Sequence, residues 1–151
     1  MKPSNDEHKN WVKRRLLSRY PNLGGKTIAV WGLTYKPGTD TLRRSLAVEL
    51  CNWLLFQGAC LNVHDPVVTE LPRDWDSRVH KCGAPMEAAL QADALVVATE
   101  WPLYREISFE DIAISSPGLL LLDANRFLGP LASSVSGINY VSVGTRQGGV
   151  L

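Results

Sequence analysis

The sequence has an odd count of three cysteines, Cys51, Cys60 and Cys82, with no C-x-x-C pair and no tight histidine spacing. That argues against both a disulfide framework and a zinc site. All three are expected as buried, reduced thiols packed like small hydrophobes. Charge of one sign is not in excess, with 16 Lys+Arg against 15 Asp+Glu and a net charge of +1. The basic surplus of a protein that lives on nucleic-acid phosphates is therefore missing. No apolar run approaches the roughly 20 residues of a membrane helix. The first ten positions, Met1 to Asn10, are polar and lack a signal-peptide core. The expectation is a cytoplasmic chain with no membrane and no nucleic-acid partner. There is no Ser-His-Asp order, no carboxylate pair at acid/base spacing and no metal-ligand cluster. His8, His64 and His80 are scattered, so each is expected to be structural or exposed.

What is present is enough for one domain: 151 residues, 45% hydrophobic and 21% charged. Asp6 to Tyr20 has the spacing of an amphipathic helix, with Trp11, Leu16, Leu17 and Tyr20 among charged positions and Ser4 or Asn5 as cap. It is expected to have little core of its own to rest on. Pro21 to Gly25 ends it. Apolar runs of strand length follow at Thr27–Trp31, Cys60–His64, Val79–Cys82, Ala94–Thr99, Leu119–Leu122 and Tyr140–Val143. Between them lie helical patterns at Ser45–Gln57, Met86–Gln91 and Phe109–Ile114, the last capped by Ser108. Strands apolar on both faces that alternate with helices imply a parallel sheet covered on either side. The expected fold is α/β: a Rossmann-like, doubly wound parallel sheet of five to six strands, preceded by an N-terminal helix.

In such sheets ligands bind beyond the carboxyl ends of the strands, where the strand order reverses. Three loops open on that edge, beginning at Gly32, Thr99 and Asp123. The first, Gly32 to Ser45, is longer than the two to six residues usual between strand and helix. It lacks the G-x-G-x-x-G dinucleotide turn, and it carries Lys36, Arg43 and Arg44 beside a helix start whose free N–H groups favour anions. Arg grips phosphate with paired hydrogen bonds and Lys adds a mobile charge; a solvated basic loop fits the composition equally well. Asp65 is expected to be a turn acid before Pro66. Trp101 and Tyr104 are expected to pack over the end of the sheet. Asn125 is the residue of the Asp123–Arg126 turn expected to tolerate a left-handed backbone.

The segment Gly32-Leu33-Thr34-Tyr35-Lys36-Pro37-Gly38-Thr39-Asp40-Thr41-Leu42-Arg43-Arg44-Ser45 resembles the G-L-x-[FY]-K-P-x-T-D-D-x-R-x-S-P motif of the UDP-glucose/GDP-mannose dehydrogenase family, in its C-terminal domain. Val63-His64-Asp65-Pro66 is similar to the family's Y-D-P, and Ala92 to Trp101 to its A-D-A-hydrophobic-T-E-W segment. The resemblance spans residues 21–146. It implies a UDP-sugar-binding domain, residues 21–151, with residues 1–20 as the tail of the inter-domain connection. It implies that Tyr35 and Lys36 contact the nucleotide sugar and that Arg43 reaches NAD held by an upstream domain. In the family's D-x-R-N motif a basic residue contacts substrate; here Asn125 occupies the Arg position and Arg126 the next. Thr41, Arg44 and Leu46 also depart from the loop motif, whereas Lys36, Pro37, Thr39, Asp40 and Arg43 keep it.

The family's nucleophilic Cys, in a G-G-x-C-x-P-K-D setting, and its NAD-domain glycine fingerprint do not occur in this chain. No catalytic residue is therefore assigned, and the chain alone is expected to be inactive, because a thiohemiacetal route needs that thiolate and a nicotinamide. The implied partners are a UDP-sugar and the upstream NAD-binding and central domains, with a homodimer left open. Two alternatives remain at this level. One is a stand-alone Rossmann dinucleotide module; the other is a non-catalytic oligomerisation module that uses its tryptophan surfaces.

Overall fold

The computed structural model describes residues 5–34 and 45–143. Helix α1 spans Asn5–Arg19 and leads into β1 (Thr27–Trp31). After the Gly32–Ser45 connection come α2 (Leu46–Phe56), β2 (Cys60–His64), β3 (Val79–Lys81) and α3 (Pro85–Ala89). Then follow β4 (Ala94–Val97), a 3₁₀ turn (Pro102–Glu106), α4 (Phe109–Ser115), β5 (Leu119–Leu122), α5 (Gly129–Ala132) and β6 (Ile138–Val141). The six strands form one sheet in the order β3-β2-β1-β4-β5-β6, and every pairing is parallel. This is the doubly wound order, with β1 and β4 adjacent where the chain reverses across the sheet.

Side chains alternate faces along a strand, so a strand buried on both sides reads as a continuous apolar run. Ile28, Val30, Val63, Val96 and Leu122 face α2, whose Leu50, Cys51 and Leu54 are buried against them. Ala29, Trp31, Leu95, Val97 and Leu121 face the other way, onto Ala88 of α3, Phe109 and Ile112 of α4, and Ala132 of α5. The Trp31 ring stacks on Tyr104 at 4.7 Å between centroids, and its indole donates to the Pro85 carbonyl at 3.0 Å. A large amphipathic ring buried with its one polar atom satisfied anchors that layer.

Two helix starts follow the local rules. Ser45 accepts from the Val48 amide at 3.2 Å and Ser108 from the Asp111 amide at 3.2 Å, each satisfying an orphan donor of the first turn. Other expectations are corrected. Helix α1 does have a core to rest on: Trp11, Val12 and Leu16 are buried against the α2 face. Cys51 and Cys82 are buried but Cys60 is only half-buried, while all three thiols are free. The last strand begins at Ile138 rather than Tyr140. The short helix α5 and the 3₁₀ turn at Pro102 have no counterpart in the sequence reading, since neither is long enough to show a helical period.

Candidate nucleotide site at the carboxyl edge

β1, β4 and β5 are parallel and lie side by side, so the loops after Trp31, Val97 and Leu122 open on one edge. The exits of β1 and β5 are two strand spacings apart, about 10 Å. The segment carrying Tyr35, Lys36 and Arg43 is rooted there at Thr34 and Ser45. Those three residues themselves lie outside the described residues. Both roots are firmly held. Ser45 donates from its hydroxyl to the Leu33 carbonyl at 2.6 Å, which ties the start of α2 to the exit of β1. The Thr99 hydroxyl donates to the Thr34 carbonyl at 2.7 Å.

Gly32 explains why a glycine stands at the end of β1. Its φ is +95°, and a Cβ placed there would lie 2.4 Å from the Thr99 Cβ. Only a residue without a side chain lets the β1 exit pass against the β4 exit.

Asp65, at the end of β2, is more than the expected turn acid. It does close that turn, with Oδ1 accepting from the Val67 amide at 2.9 Å. Its Oδ2 also accepts from the amides of Leu33 at 2.8 Å and Thr34 at 3.1 Å. The Thr34 hydroxyl (3.3 Å) and the Trp101 indole (3.2 Å) donate to the same oxygen. Asp65 is buried, with 5% of the residue exposed. Sequence reasoning missed this cluster because its members come from β1, β2 and the β4 loop, and no local spacing links them.

The turn after β5 hangs on a second buried acid. Asp123 accepts from the Phe127 amide through Oδ1 (3.0 Å) and from the Leu128 amide through Oδ2 (2.7 Å). The Tyr140 hydroxyl donates to Oδ2 at 2.8 Å, and burial, followed by that hydrogen bond, pushes the phenol well above its ordinary range. The left-handed residue of this turn is Arg126, with a φ of 57°, not Asn125 as expected. As a result the two neighbours diverge. Asn125 donates to Glu100 Oε2 at 2.8 Å and lines a mainly apolar cavity of about 80 Å³ with Val12, Leu46, Leu50 and Ala98. Arg126 lies with its guanidinium carbon 5.5 Å from the Tyr140 ring centre and donates to the Ser142 hydroxyl at 3.3 Å. Gly129 leaves room for it, since a Cβ there would come within 3.1 Å of the guanidinium. Both Asn125 and Arg126 are exposed on the carboxyl edge.

His64 and Tyr104 form the floor beneath this edge. Tyr104 donates to the His64 carbonyl at 3.2 Å, and His64 Nδ1 lies 3.0 Å from the same hydroxyl. Burial holds the imidazole below its ordinary pKa and pushes the Tyr104 phenol far up. Tyr104 is fully buried, so it packs over the sheet end as expected, and His64 is structural. His80 is exposed. No group of His, Cys, Asp and Glu suited to a metal occurs among the described residues.

The described residues of the edge do not form a Rossmann NAD site by themselves. In a dinucleotide-binding Rossmann sheet the acid after β2 takes the ribose hydroxyls, next to a glycine-rich turn that admits the pyrophosphate. Here that acid already receives five donors from its own chain, and Gly32 at the β1 exit is pressed against Thr99.

Residues 29–130 match the UDP-glucose/GDP-mannose dehydrogenase family, UDP binding domain. A UDP-glucose 6-dehydrogenase of Pseudomonas aeruginosa is 34% identical over 131 residues, covering 83% of this chain and 29% of that protein. Among solved structures, a UDP-glucose dehydrogenase from Pyrobaculum islandicum superposes with a TM-score of 0.70 at 28% identity, over 88% of this chain and 30% of that one. An NDP-N-acetyl-D-galactosaminuronic acid dehydrogenase from Methanosarcina mazei Go1, at 22% identity, shares the fold with a TM-score of 0.75, over 95% of this chain and 30% of that one. The chain thus spans about a third of the length of these relatives. With the match running from within β1 to the start of α5 and taking in both acid-held turns, this chain belongs to the UDP-glucose/GDP-mannose dehydrogenase family, as its UDP-binding domain.

Proposed function

We propose that this chain binds the UDP-sugar of an NAD-dependent nucleotide-sugar 6-dehydrogenase of the UDP-glucose to UDP-glucuronate type, which carries out two successive hydride transfers. The observation that carries the reading is the family match over the very segments that meet at the carboxyl edge. Tyr35 and Lys36 contact the nucleotide sugar, with Lys36 supplying charge to the diphosphate. Asn125 and Arg126 complete the contact from the β5 side, Asn125 turned toward β4 and Arg126 toward β6. Arg43 is assigned to NAD held by another domain, as part of a larger cytoplasmic enzyme in which residues 1–20 form the tail of the inter-domain connection. NAD would be held by that other domain, where it would supply the hydride acceptor.

Titration of UDP and UDP-glucose, followed by NMR, tests the assignment. Saturable binding is expected, even at millimolar concentration, with Lys36→Ala weakening it by about tenfold or more and Arg43→Ala leaving it unchanged. Unaltered affinity in Lys36→Ala would remove that lysine from the site.

A further inference from the structure

The buried acid at the end of β2 has no place in the chemistry proposed above, yet it holds the root of the segment that does. We infer that Asp65 is a positioning residue of the nucleotide site: its carboxylate sets the path of Leu33–Thr34, from which the chain continues directly into Tyr35 and Lys36. The inference rests on the UDP-binding reading. A backbone amide whose partner is a buried carboxylate is held by a charge-assisted bond in a low-dielectric setting, stronger and more directional than a neutral one. Leu33 and Thr34 present two successive amides to one oxygen, at 2.8 and 3.1 Å, which fixes the direction of the chain as well as its position.

Three further bonds hold Gly32, Leu33 and Thr34 from other elements. The Gly32 amide donates to the His64 carbonyl at 2.7 Å, and the carbonyls of Leu33 and Thr34 are taken by Ser45 and Thr99. The exit of β1 is therefore clamped by β2, by the β4 loop and by the first turn of α2. Asp65 is the member that acts on both amides at once. Another of its donors, the Trp101 indole at 3.2 Å, makes the clamp observable, because an indole N–H gives a separate NMR resonance.

The expected pattern separates positioning from mere stability. Asp65→Ala should weaken UDP binding by about tenfold or more. Asp65→Asn keeps the volume and one accepting oxygen but loses the charge and the Val67 bond, so a loss of about threefold is expected. In that variant the Leu33 and Thr34 amides and the Trp101 indole proton should shift upfield. Ile112→Ala truncates the core on the opposite face of the sheet; it should lower the melting temperature and leave UDP affinity within about twofold of the parent. Equal affinities for the parent and a folded Asp65→Ala, or parallel losses in Asp65→Ala and Ile112→Ala, would overturn the inference. If Asp65→Ala does not fold, unchanged affinity and unmoved resonances in Asp65→Asn would do so. A parent chain that does not bind UDP would instead defeat the functional reading itself.

Discussion

At the scale of single residues, burial decides which polar side chains can be switched by solvent conditions. His64 is held beneath the carboxyl edge, 5% exposed, with its ring nitrogen on Tyr104. Desolvation is the largest influence on it and disfavours the imidazolium; Lys81 acts in the same direction, while Asp65 and Glu87 oppose. A folded-state pKa below the unfolded value of about 6.5 means the unfolded chain binds the extra proton first. The contribution of a neutral His64 is complete above about pH 6.5 and is lost as pH falls through the folded value. Melting temperatures recorded from about pH 7 down to pH 5 should therefore fall more steeply for the parent than for His64→Gln. Parallel curves would show that His64 takes up its proton at no cost to the fold.

At the scale of elements, α1 depends most on its surroundings. Its period is legible in the sequence, but Trp11, Val12 and Leu16 point into the same layer as Leu50 and Leu54 of α2. Lys13 lies 5.2 Å from the Trp53 ring centre, so that α2 tryptophan, packed against the same core, is covered within the chain. Leu16 is fully buried, whereas Leu17, one position on, is 37% exposed. Leu16→Ala should cost about 2–5 kcal/mol in urea unfolding, and Leu17→Ala no more than about 0.5 kcal/mol. A loss below about 1 kcal/mol for Leu16→Ala would mean that α1 is not docked as described.

At the scale of the whole molecule, the sheet carries its binding edge but not a complete reaction centre. Among the described residues, a crowded Gly32 and a saturated Asp65 stand where a dinucleotide site has an open glycine turn and a free ribose acid. Added NAD should leave the spectrum of this chain unchanged at concentrations where UDP shifts it, and UDP-glucose with NAD should yield no NADH absorbance. Saturable NAD binding without UDP binding would favour a stand-alone dinucleotide module.

The outer strands β3 and β6 carry exposed His80, Lys81 and Asn139, and there the apolar pattern misplaces the start of β6. The central strands β1, β4 and β5 could be read from the chain alone because each is a short apolar run, buried on both faces, with no polar position beyond Thr27 to blur it. The helices α2 and α4 were equally legible, since Ser45 and Ser108 signal their starts chemically. The cationic residues Lys36, Arg43 and Arg126 were visible as types at loop positions. Only the folded chain decides which neighbour turns where: a left-handed Arg126 sends Asn125 to Glu100 and itself to Tyr140. Nor could local pattern show that Asp65 meets Leu33, Thr34 and Trp101, which are up to 36 positions away along the chain. Periodicity and capping are properties of neighbours along the chain, so sequence suffices for them; the clamp on the β1 exit is made by bonds between strands brought together only by the winding of the sheet.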